Sequence, residues 1–348
     1  MAVTITDVAR RAGVSSATVS RVLSGKPHVR GRLEPRVLEA VDALGYTPSR
    51  VAQSLRAKRS KIVGLIVSDI QNPFFTALAR AVEDAAQAQG YAVFLCNSDE
   101  NPVKEKRYLD LFLAERVAGV IVAPTSETAT DLGGLTLAGI PVVAVDRLAK
   151  GFGVDTVLTD NEEASRRLVR GLLEQGNERV GAVLHDPHIT TGRQRLQGYK
   201  RALTEAGLPF DETLVRSGKP TVEDGYVLAG ELLGLPRPPD GLFAGSKLIA
   251  LGVLRRVLEA GLTIPGDLAL ASFDRLDWTP CTPPMLCGVQ PVYDLGVSAV
   301  RLLFERLESP GRPAEHLVLP TPTQMFTPQT LTPQTLTGRA LARQGGKP

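Results

Sequence analysis

The chain has 348 residues, of which 43% are hydrophobic and 22% are charged, and its formal net charge is +3. This length and composition predict a globular protein of two or three domains and exclude a disordered or fibrous chain. Charged residues interrupt the first apolar stretch and no long apolar run follows, so we expect neither a signal peptide nor a membrane span. Cys96, Cys281 and Cys287 lack metal-site spacing, which is typical of free thiols in a cytoplasmic protein.

The positive charge is concentrated at the start of the chain. Residues 1–61 contain twelve Lys or Arg against four Asp or Glu, whereas the remainder contains 28 against 33. A small basic segment followed by a mildly acidic body predicts that the N-terminal part alone meets a polyanion.

The first 46 residues show the pattern of three short helices. Thr4 and Asp7 have capping-box spacing at the start of the first helix, and Gly13 follows it where a turn requires a positive φ. Ser15 is placed to cap a second helix, over 16–23.

A third helix is predicted over 35–44, with an inward face formed by Val37, Leu38, Val41 and Leu44. The second helix presents Ser16, Ala17, Ser20 and Arg21 on one outward face. Arg can bind guanine, Ser can bind bases or phosphates and Ala can contact a thymine methyl, so this face is typical of a DNA-reading helix. The alternative is a helical hairpin whose polar face is only solvated.

From residue 62 the sequence alternates between apolar runs and helical patterns. The first run, 62–67, is continuously apolar, as expected for a parallel strand covered on both faces. Similar runs recur at 91–95, 119–123, 141–145, 179–184, 241–244 and 268–273. Helical patterns cover 75–88, 104–113, 162–175, 193–206, 222–233 and 247–260. This alternation predicts two doubly wound α/β lobes with a ligand cleft between them.

Parallel sheets bind ligands at the carboxyl ends of their strands, and this rule selects Asp69, Asp146, Arg147 and Asp274. Carboxylates with a planar Arg suit a hydroxylated ligand. Each of these residues could instead cap a helix or form a salt bridge between lobes. Phe74 and Trp278 could stack on a sugar or pack in a core.

Several segments resemble the lactose-repressor (LacI/GalR) family. In the N-terminal part these are TITDVA at 4–9, AGVS at 12–15, ATVSRVL at 17–23 and LGYTP at 44–48. In the body they are NPFF at 72–75, VDR at 145–147, RLQGY at 195–199 and SFD at 272–274. The segments follow the family's order, and the resemblance covers about residues 3–320.

The resemblance implies an all-α helix-turn-helix DNA-binding head at 1–48, followed by a hinge helix and linker at 49–61. Leu55 then corresponds to a wedge that opens a base step in the minor groove, with Arg56 beside it; otherwise Leu55 would be a core contact and His28 an ordinary surface residue. The predicted DNA-binding set is Thr4, Ser15, Ser16, Ala17, Thr18, Ser20, Arg21, His28, Tyr46, Ser49, Ala52, Leu55 and Arg56.

The resemblance further implies a periplasmic-binding-protein-like body of two doubly wound parallel-sheet lobes, at 62–324. We expect an N-lobe of about 62–160 and 290–318, a C-lobe of about 161–289 and 319–324, and a disordered tail at 325–348. The predicted effector-binding set is Asp69, Phe74, Asp146, Arg147, Arg195, Ser246, Lys247, Asp274 and Trp278. Ser246 and Lys247 replace the family's usual Asn-Asp pair, and Lys247 raises the hypothesis of an anionic effector.

These expectations describe a cytoplasmic repressor that binds a pseudo-palindromic double-stranded operator as a homodimer. A small effector, a sugar or sugar derivative, would control its operator affinity. We expect no cofactor and no metal, because the four histidines lack metal-ligand spacing. An enzyme is the main alternative, but no dinucleotide-binding glycine motif, P-loop or nucleophile elbow is present. A secreted sugar-binding protein would fit the body but not the basic head.

Overall fold

The computed structural model of the protein describes residues 3–23, 33–46, 60–276 and 283–326. The chain divides into two compact units between Lys61 and Ile62. The predicted site residues that lie outside the described ranges are His28, Ser49, Ala52, Leu55, Arg56 and Trp278. We call the first unit the head and the second unit the body.

Three helices form the described part of the head. They are α1 (Ile5–Ala12), α2 (Ser16–Leu23) and α3 (Leu33–Leu44). Their shared core consists of Val8, Ala9, Ala12, Val19, Val37 and Ala40, each at most 5% exposed. The spacing of three and four residues within each helix places these side chains on one face, which explains why short helices can pack together here.

The helix ends of the head follow local chemistry. Asp7 accepts hydrogen bonds from the Thr4 N–H at 3.0 Å and from the Thr4 hydroxyl at 2.6 Å, at the start of α1. Gly13 has φ 64°, and a Cβ there would lie 2.9 Å from the Arg36 guanidinium. Ser15 caps α2, since its hydroxyl oxygen accepts from the Thr18 N–H at 3.1 Å. The predicted caps and turn are therefore confirmed.

Helix α3 differs from the prediction in two respects. It includes Leu33, two residues before the predicted start, because Pro35 is tolerated in the first turn of a helix. The prediction that Leu38 faces inward is wrong: Leu38 is 46% exposed and Ala40 is buried instead. Successive residues differ by about 100° around a helix, so Leu38 cannot share the face that Val37, Ala40 and Leu44 occupy.

The body alternates strands and helices. Its described strands are β1 (Ile62–Val67), β2 (Ala92–Asn97), β3 (Gly119–Val122), β4 (Val142–Val145), β5 (Asp155–Thr159), β6 (Val180–His185), β7 (Val215–Gly218), β8 (Gly241–Ala244), β9 (Ala269–Ser272), β10 (Met285–Gly288), β11 (His316–Leu319) and β12 (Thr323–Phe326). Its described α-helices are α4 (Pro73–Ala88), α5 (Pro102–Ala114), α6 (Gly133–Leu137), α7 (Asn161–Glu174), α8 (Thr190–Glu205), α9 (Val222–Leu233), α10 (Lys247–Glu259) and α11 (Val292–Glu308).

The strands form two six-stranded sheets, one in each lobe. The N-lobe sheet has the order β11-β5-β4-β3-β1-β2 and the C-lobe sheet has the order β12-β10-β9-β8-β6-β7. All the paired strands are parallel except β10 and β12. The predicted fold class, two doubly wound α/β lobes behind a helical head, is confirmed.

Core clusters cover both faces of the N-lobe sheet. Along β1, Val63 and Leu65 pack into one cluster with α4 and α11, whereas Ile66 packs into the opposite cluster with Phe112 of α5. Gly64 permits this packing, because a Cβ there would lie 2.4 Å from the Phe112 ring. The apolar run at 62–67 is therefore buried on both sides, as predicted.

The run at 91–95 does not share this burial. Its strand, β2, is the edge strand beside β1, and Phe94 and Leu95 are 47% and 45% exposed. The expectation that such a run is covered on both faces is wrong here: Phe94 and Leu95 are successive residues and therefore point to opposite faces of β2, and both are exposed.

The disordered tail was predicted to begin at residue 325, which is two residues too early. Met325 and Phe326 belong to β12, which pairs antiparallel with β10, and Phe326 is 3% exposed in the C-lobe core. Burial of one aromatic side chain is enough to hold the strand end against the lobe. Residues 327–348 lie outside the described ranges.

Candidate functional site

The outer surface of α2 carries the predicted DNA-reading residues of the head. Ala17 and Arg21 are exposed, and Ser16 and Ser20 are half-buried. Val19 is fully buried on the opposite side and anchors the helix in the head core. The side chains that could reach a groove therefore lie on a rigid helix.

Other predicted DNA contacts have structural partners. Ser15 and Thr18 hydroxyl oxygens are 2.9 Å apart, so both belong to the cap of α2. Thr4 caps α1, and the Tyr46 ring packs against the head core. A structural contact does not prevent these groups from also facing a phosphate.

In the body, polar side chains from the carboxyl ends of strands in both sheets converge on one inner pocket. Its lining residues are Asp69, Asn72, Phe74, Phe75, Glu100, Asp146, Arg147, His185, Thr191, Arg195, Pro220, Ser246, Asp274 and Gln290. Little free space remains between them, about 20 Å³. Ligand pockets usually measure about 300–1,000 Å³, so a ligand would require the lobes to part.

Arg147 is the centre of the N-lobe side of the pocket. Its guanidinium, 3% exposed, donates to both Glu100 carboxylate oxygens at 2.6 and 2.7 Å. It also donates to the Pro124 carbonyl at 3.2 Å, while its buried Nε has no hydrogen-bond partner among the described residues. Glu100 thus orients Arg147, whose Nε lies 3.6 Å from an Asp146 carboxylate oxygen in an ion pair and could still donate to a ligand.

Asp146 precedes Arg147 and has φ 67°, a backbone conformation that is uncommon for a residue with a side chain. Burial raises the pKa of the Asp146 carboxyl, and the guanidiniums of Arg147 and Arg195 oppose this rise. Strained residues of this kind cluster at binding sites, because the surrounding structure must hold them in place.

Arg195, on α8, is the C-lobe counterpart of Arg147. It is 3% exposed, donates to the Asn161 side chain at 3.0 Å and to the Gly245 carbonyl, and lies 3.6 Å above the Phe273 ring. Burial lowers the pKa of Arg195 to about 10, although Asp274 and Asp146 oppose this change. The guanidinium is therefore still charged at neutral pH.

Asp274 follows β9 and is held by two donors. The Lys247 backbone N–H lies 3.1 Å from one of its oxygens and the Gln290 side-chain nitrogen lies 2.5 Å from the other. Ser246 caps α10 through its hydroxyl oxygen, which accepts from the Ile249 N–H at 3.4 Å. These contacts fix the carboxylate opposite the N-lobe residues.

His185, the last residue of β6, completes the pocket. Its Nδ1 lies 3.4 Å from the Thr191 hydroxyl, and its buried Nε2 has no partner among the described residues. Burial and then the charges of Arg195 and Arg147 hold the pKa of His185 well below its ordinary value. A neutral imidazole with a free nitrogen is suited to one hydrogen bond with a ligand.

The two lobes are joined beside this pocket by Glu127, which is 5% exposed. Its carboxylate accepts from the Thr190 hydroxyl at 2.5 Å and forms ion pairs with Arg193 at 2.6 Å and Lys150 at 2.9 Å. Thr190 also accepts from the Leu148 N–H at 3.0 Å. We call this set of contacts the Glu127 clasp.

Most of the predicted effector residues meet in the inner pocket: Asp69, Phe74, Asp146, Arg147, Arg195, Ser246 and Asp274. Lys247 is not among the lining residues and contributes its backbone N–H to Asp274. Glu100, His185 and Gln290 also line the pocket but are absent from the predicted set. His185 could have been found, because it directly follows the predicted run at 179–184. Glu100 lies five residues beyond the predicted run at 91–95, and Gln290 follows β10, which was not predicted.

No helix in the described part of the chain combines the length and apolar character that a membrane span requires. Within the same ranges, no three His, Cys, Asp or Glu side chains are grouped so that they could hold a metal ion.

Two protein-family models match the chain. The model for bacterial regulatory proteins of the lacI family matches residues 4–49. The model for periplasmic binding proteins and the sugar-binding domain of the LacI family matches residues 60–295. The two matches correspond to the head and to most of the body.

Individual relatives agree with these matches. The chain is 37% identical to catabolite control protein A of Priestia megaterium over 307 residues, covering 87% of this chain and 92% of that protein. It is 36% identical to the ribose operon repressor of Halalkalibacterium halodurans over 328 residues, covering 94% and 96%. The solved complex of the transcriptional regulator CelR with cellobiose has a TM-score of 0.70 and 30% identity, covering 92% and 98%. The chain therefore belongs to the LacI family of bacterial transcriptional regulators.

Proposed function

We propose that this chain is a repressor that binds a pseudo-palindromic operator as a homodimer, and that a neutral sugar or sugar derivative bound between the lobes controls its operator affinity. The inner pocket carries this proposal. There, Asp146 and Asp274 can accept hydrogen bonds from hydroxyl groups, while Arg147 and Arg195 can donate to them. Phe74 supplies an aromatic wall of the kind that sugar rings contact.

The charge of the pocket favours a neutral effector over an anionic one. Four carboxylates and two guanidiniums line it, and Glu100 already pairs with both terminal nitrogens of Arg147. An anion would therefore meet an excess of negative charge. The hypothesis of an anionic effector depended on Lys247, whose side chain does not line the pocket. The ribose operon repressor and the cellobiose complex of CelR are both named for sugars, which supports the same ligand class.

For DNA binding, we assign residues 1–48 to the DNA-reading domain and 49–61 to the hinge and linker, and we assign the body from residue 62 to the end of β12 at residue 326 to effector binding and dimerisation. Base contacts would come from Ser16, Ala17 and Arg21, and phosphate contacts from residues at the helix ends. The basic charge of the head supplies the attraction to phosphate that such contacts require.

The effector would control operator affinity by moving the lobes relative to each other. Closing them around an effector would change the spacing of two hinge segments in the dimer, and so shift the population between DNA-competent and DNA-incompetent forms. We assign no catalytic step to the chain and place its action in the cytoplasm, where its operator lies.

The proposal is tested by selecting duplexes from a random library with the purified full chain. Fluorescence anisotropy should then show tight binding to a palindrome, weaker binding to scrambled duplex and a steep loss of affinity with salt. A sugar panel added to the complex should change the anisotropy with one sugar or a few related ones. Equal, weak affinity for every duplex would contradict the assignment.

A further inference from the structure

A second cavity adjoins the inner pocket, and we call it the outer cavity. It measures about 660 Å³ and lies among the loops that follow β2, β3, β6 and β7, so it also has walls from both lobes. This volume falls within the range of about 300–1,000 Å³ that is typical of ligand sites, whereas the inner pocket leaves about 20 Å³ free.

Glu100 and Pro220 line both spaces, so they mark the junction between them. Glu100 holds Arg147 of the inner pocket through its bidentate pair. The backbone at this junction is unusual, because Asp99 and Glu100 have φ values of 53° and 54°. Two successive residues in the left-handed region carry a conformational cost that is usually found where function requires a set geometry.

The walls of the outer cavity combine apolar surface, from Pro187, Ile189 and Pro220, with polar groups of mixed charge. Ser126 and Ser217 supply hydroxyls, Lys219 and His188 supply donors, and Asp186 supplies a carboxylate. The Lys219 ammonium and the His188 imidazole make no hydrogen bond or ion pair with other described residues. Free donors beside hydroxyls and a carboxylate suit a ligand that both accepts and donates hydrogen bonds and has no net charge.

We propose that the effector is a disaccharide. One sugar unit lies between Arg147 and Asp274 in the inner pocket once the lobes part, the glycosidic linkage passes Glu100 and Pro220, and the second unit lies in the outer cavity. This inference rests on the proposed function, a sugar effector, and adds that the sugar has two units. The outer cavity would contribute affinity through Lys219 and His188, and the inner pocket would hold the unit that the lobes enclose.

The experiment compares mono- and disaccharides that share a sugar unit. The full chain is screened by thermal shift against glucose, galactose, mannose and xylose and against disaccharides built from each, and hits are measured by calorimetry. Ser217→Trp fills the outer cavity, and Ser309→Trp, at an exposed position after α11, is the matched control. Lys219→Ala is a second variant at an exposed position that introduces no bulk.

We expect the tightest ligand to be a disaccharide that binds at least about tenfold more strongly than its constituent monosaccharide, as several added hydrogen bonds allow. Ser217→Trp should reduce its affinity to that of the monosaccharide, Lys219→Ala should weaken it about threefold, and Ser309→Trp should leave it unchanged. If a monosaccharide binds most tightly and neither outer-cavity variant changes its affinity, the disaccharide inference is wrong. The proposal of a sugar effector would then remain supported. If no sugar binds, both are wrong.

Discussion

At the scale of single residues, the pocket depends on guanidiniums buried against carboxylates. Arg147 and Arg195 are each 3% exposed, and an unpaired charge at such depth would be strongly destabilising. Glu100 satisfies Arg147 by direct pairing, whereas Arg195 relies on neutral acceptors, the Phe273 ring and the nearby charge of Asp274. Arg195 therefore lacks the bidentate carboxylate pair that compensates the charge of Arg147.

Asp274→Asn should weaken effector binding by about tenfold or more, because a hydrogen bond to a charged acceptor contributes about 1.5–3 kcal/mol. Operator binding without effector should be unchanged, since the head does not depend on this carboxylate. Calorimetry with the effector and anisotropy with the operator measure the two effects. Asp110→Asn, in an exposed pair with Lys106, is the control. A normal effector response in Asp274→Asn would remove this residue from the site.

His185 should make the stability of the body depend on pH. Since burial and two guanidiniums lower its folded pKa, the unfolded chain binds a proton at this position first as the pH falls below about 6.5. Stability should then decrease by up to about 1.4 kcal/mol per pH unit until the folded pKa is reached. In His185→Gln, the melting temperature should fall less between pH 7.5 and pH 5.5 than in the wild type. An unchanged pH profile would contradict this account, and the exposed His188→Gln is the control.

At the scale of elements, α8 links the inner pocket to the contacts between the lobes. Its first residue, Thr190, and Arg193 belong to the Glu127 clasp, while Arg195 lies in the inner pocket. A helix is stiff over so short a distance, so a shift of α8 changes both sets of contacts together. The helix start at Thr190 therefore couples the two lobes mechanically.

Glu127→Gln should loosen this connection. Arg193 and Lys150 are 34% and 58% exposed, so solvent reduces the contribution of the ion pairs, and we expect a loss of about 1–2 kcal/mol in unfolding free energy. The radius of gyration from solution scattering should increase without effector as the lobes open. If the variant had the same radius of gyration and unfolding free energy as the wild type, the Glu127 clasp would not hold the lobes together.

The clasp should also weaken in acid. Burial raises the pKa of Glu127, but the hydrogen bonds from Arg193, Thr190 and Lys150 lower it further, to below its ordinary value. Its stabilisation is therefore fully present above about pH 4.3, the ordinary value for Glu, and is lost as the pH falls through the folded pKa. The Glu127→Gln variant lacks this acid-sensitive contribution.

At the scale of the whole molecule, a basic head and a ligand-binding body lie on one chain, and the proposed hinge at 49–61 must carry the signal between them. Leu55→Ala should weaken operator affinity and reduce DNA bending, because it would remove the side chain proposed as the apolar wedge that unstacks a base step. Effector affinity should be unchanged. Gel phasing measures the bend, and Leu137→Ala, 91% exposed in the body, is the control. Unchanged bending would reject the wedge.

Elements with local signals could be predicted from the amino-acid sequence. The caps at Thr4 and Ser15, the turn at Gly13 and the buried strand at 62–67 could be predicted, because each depends on residues within a few positions of one another. The rule for strand ends also identified Asp146 and Asp274 as pocket residues.

Pairing between groups far apart in the sequence depends on how the strands and lobes pack. Glu100 lies 47 residues from Arg147, and Glu127 lies 63 residues from Thr190. No local period relates such positions, because their separation is set by how strands and lobes pack. The exposure of β2 and the burial of Phe326 also depend on tertiary packing: both strands lie at sheet edges, but Phe326 packs into the C-lobe core whereas Phe94 and Leu95 are left exposed. The junction at Glu100 that sets the proposed ligand size is therefore a property of the packed lobes.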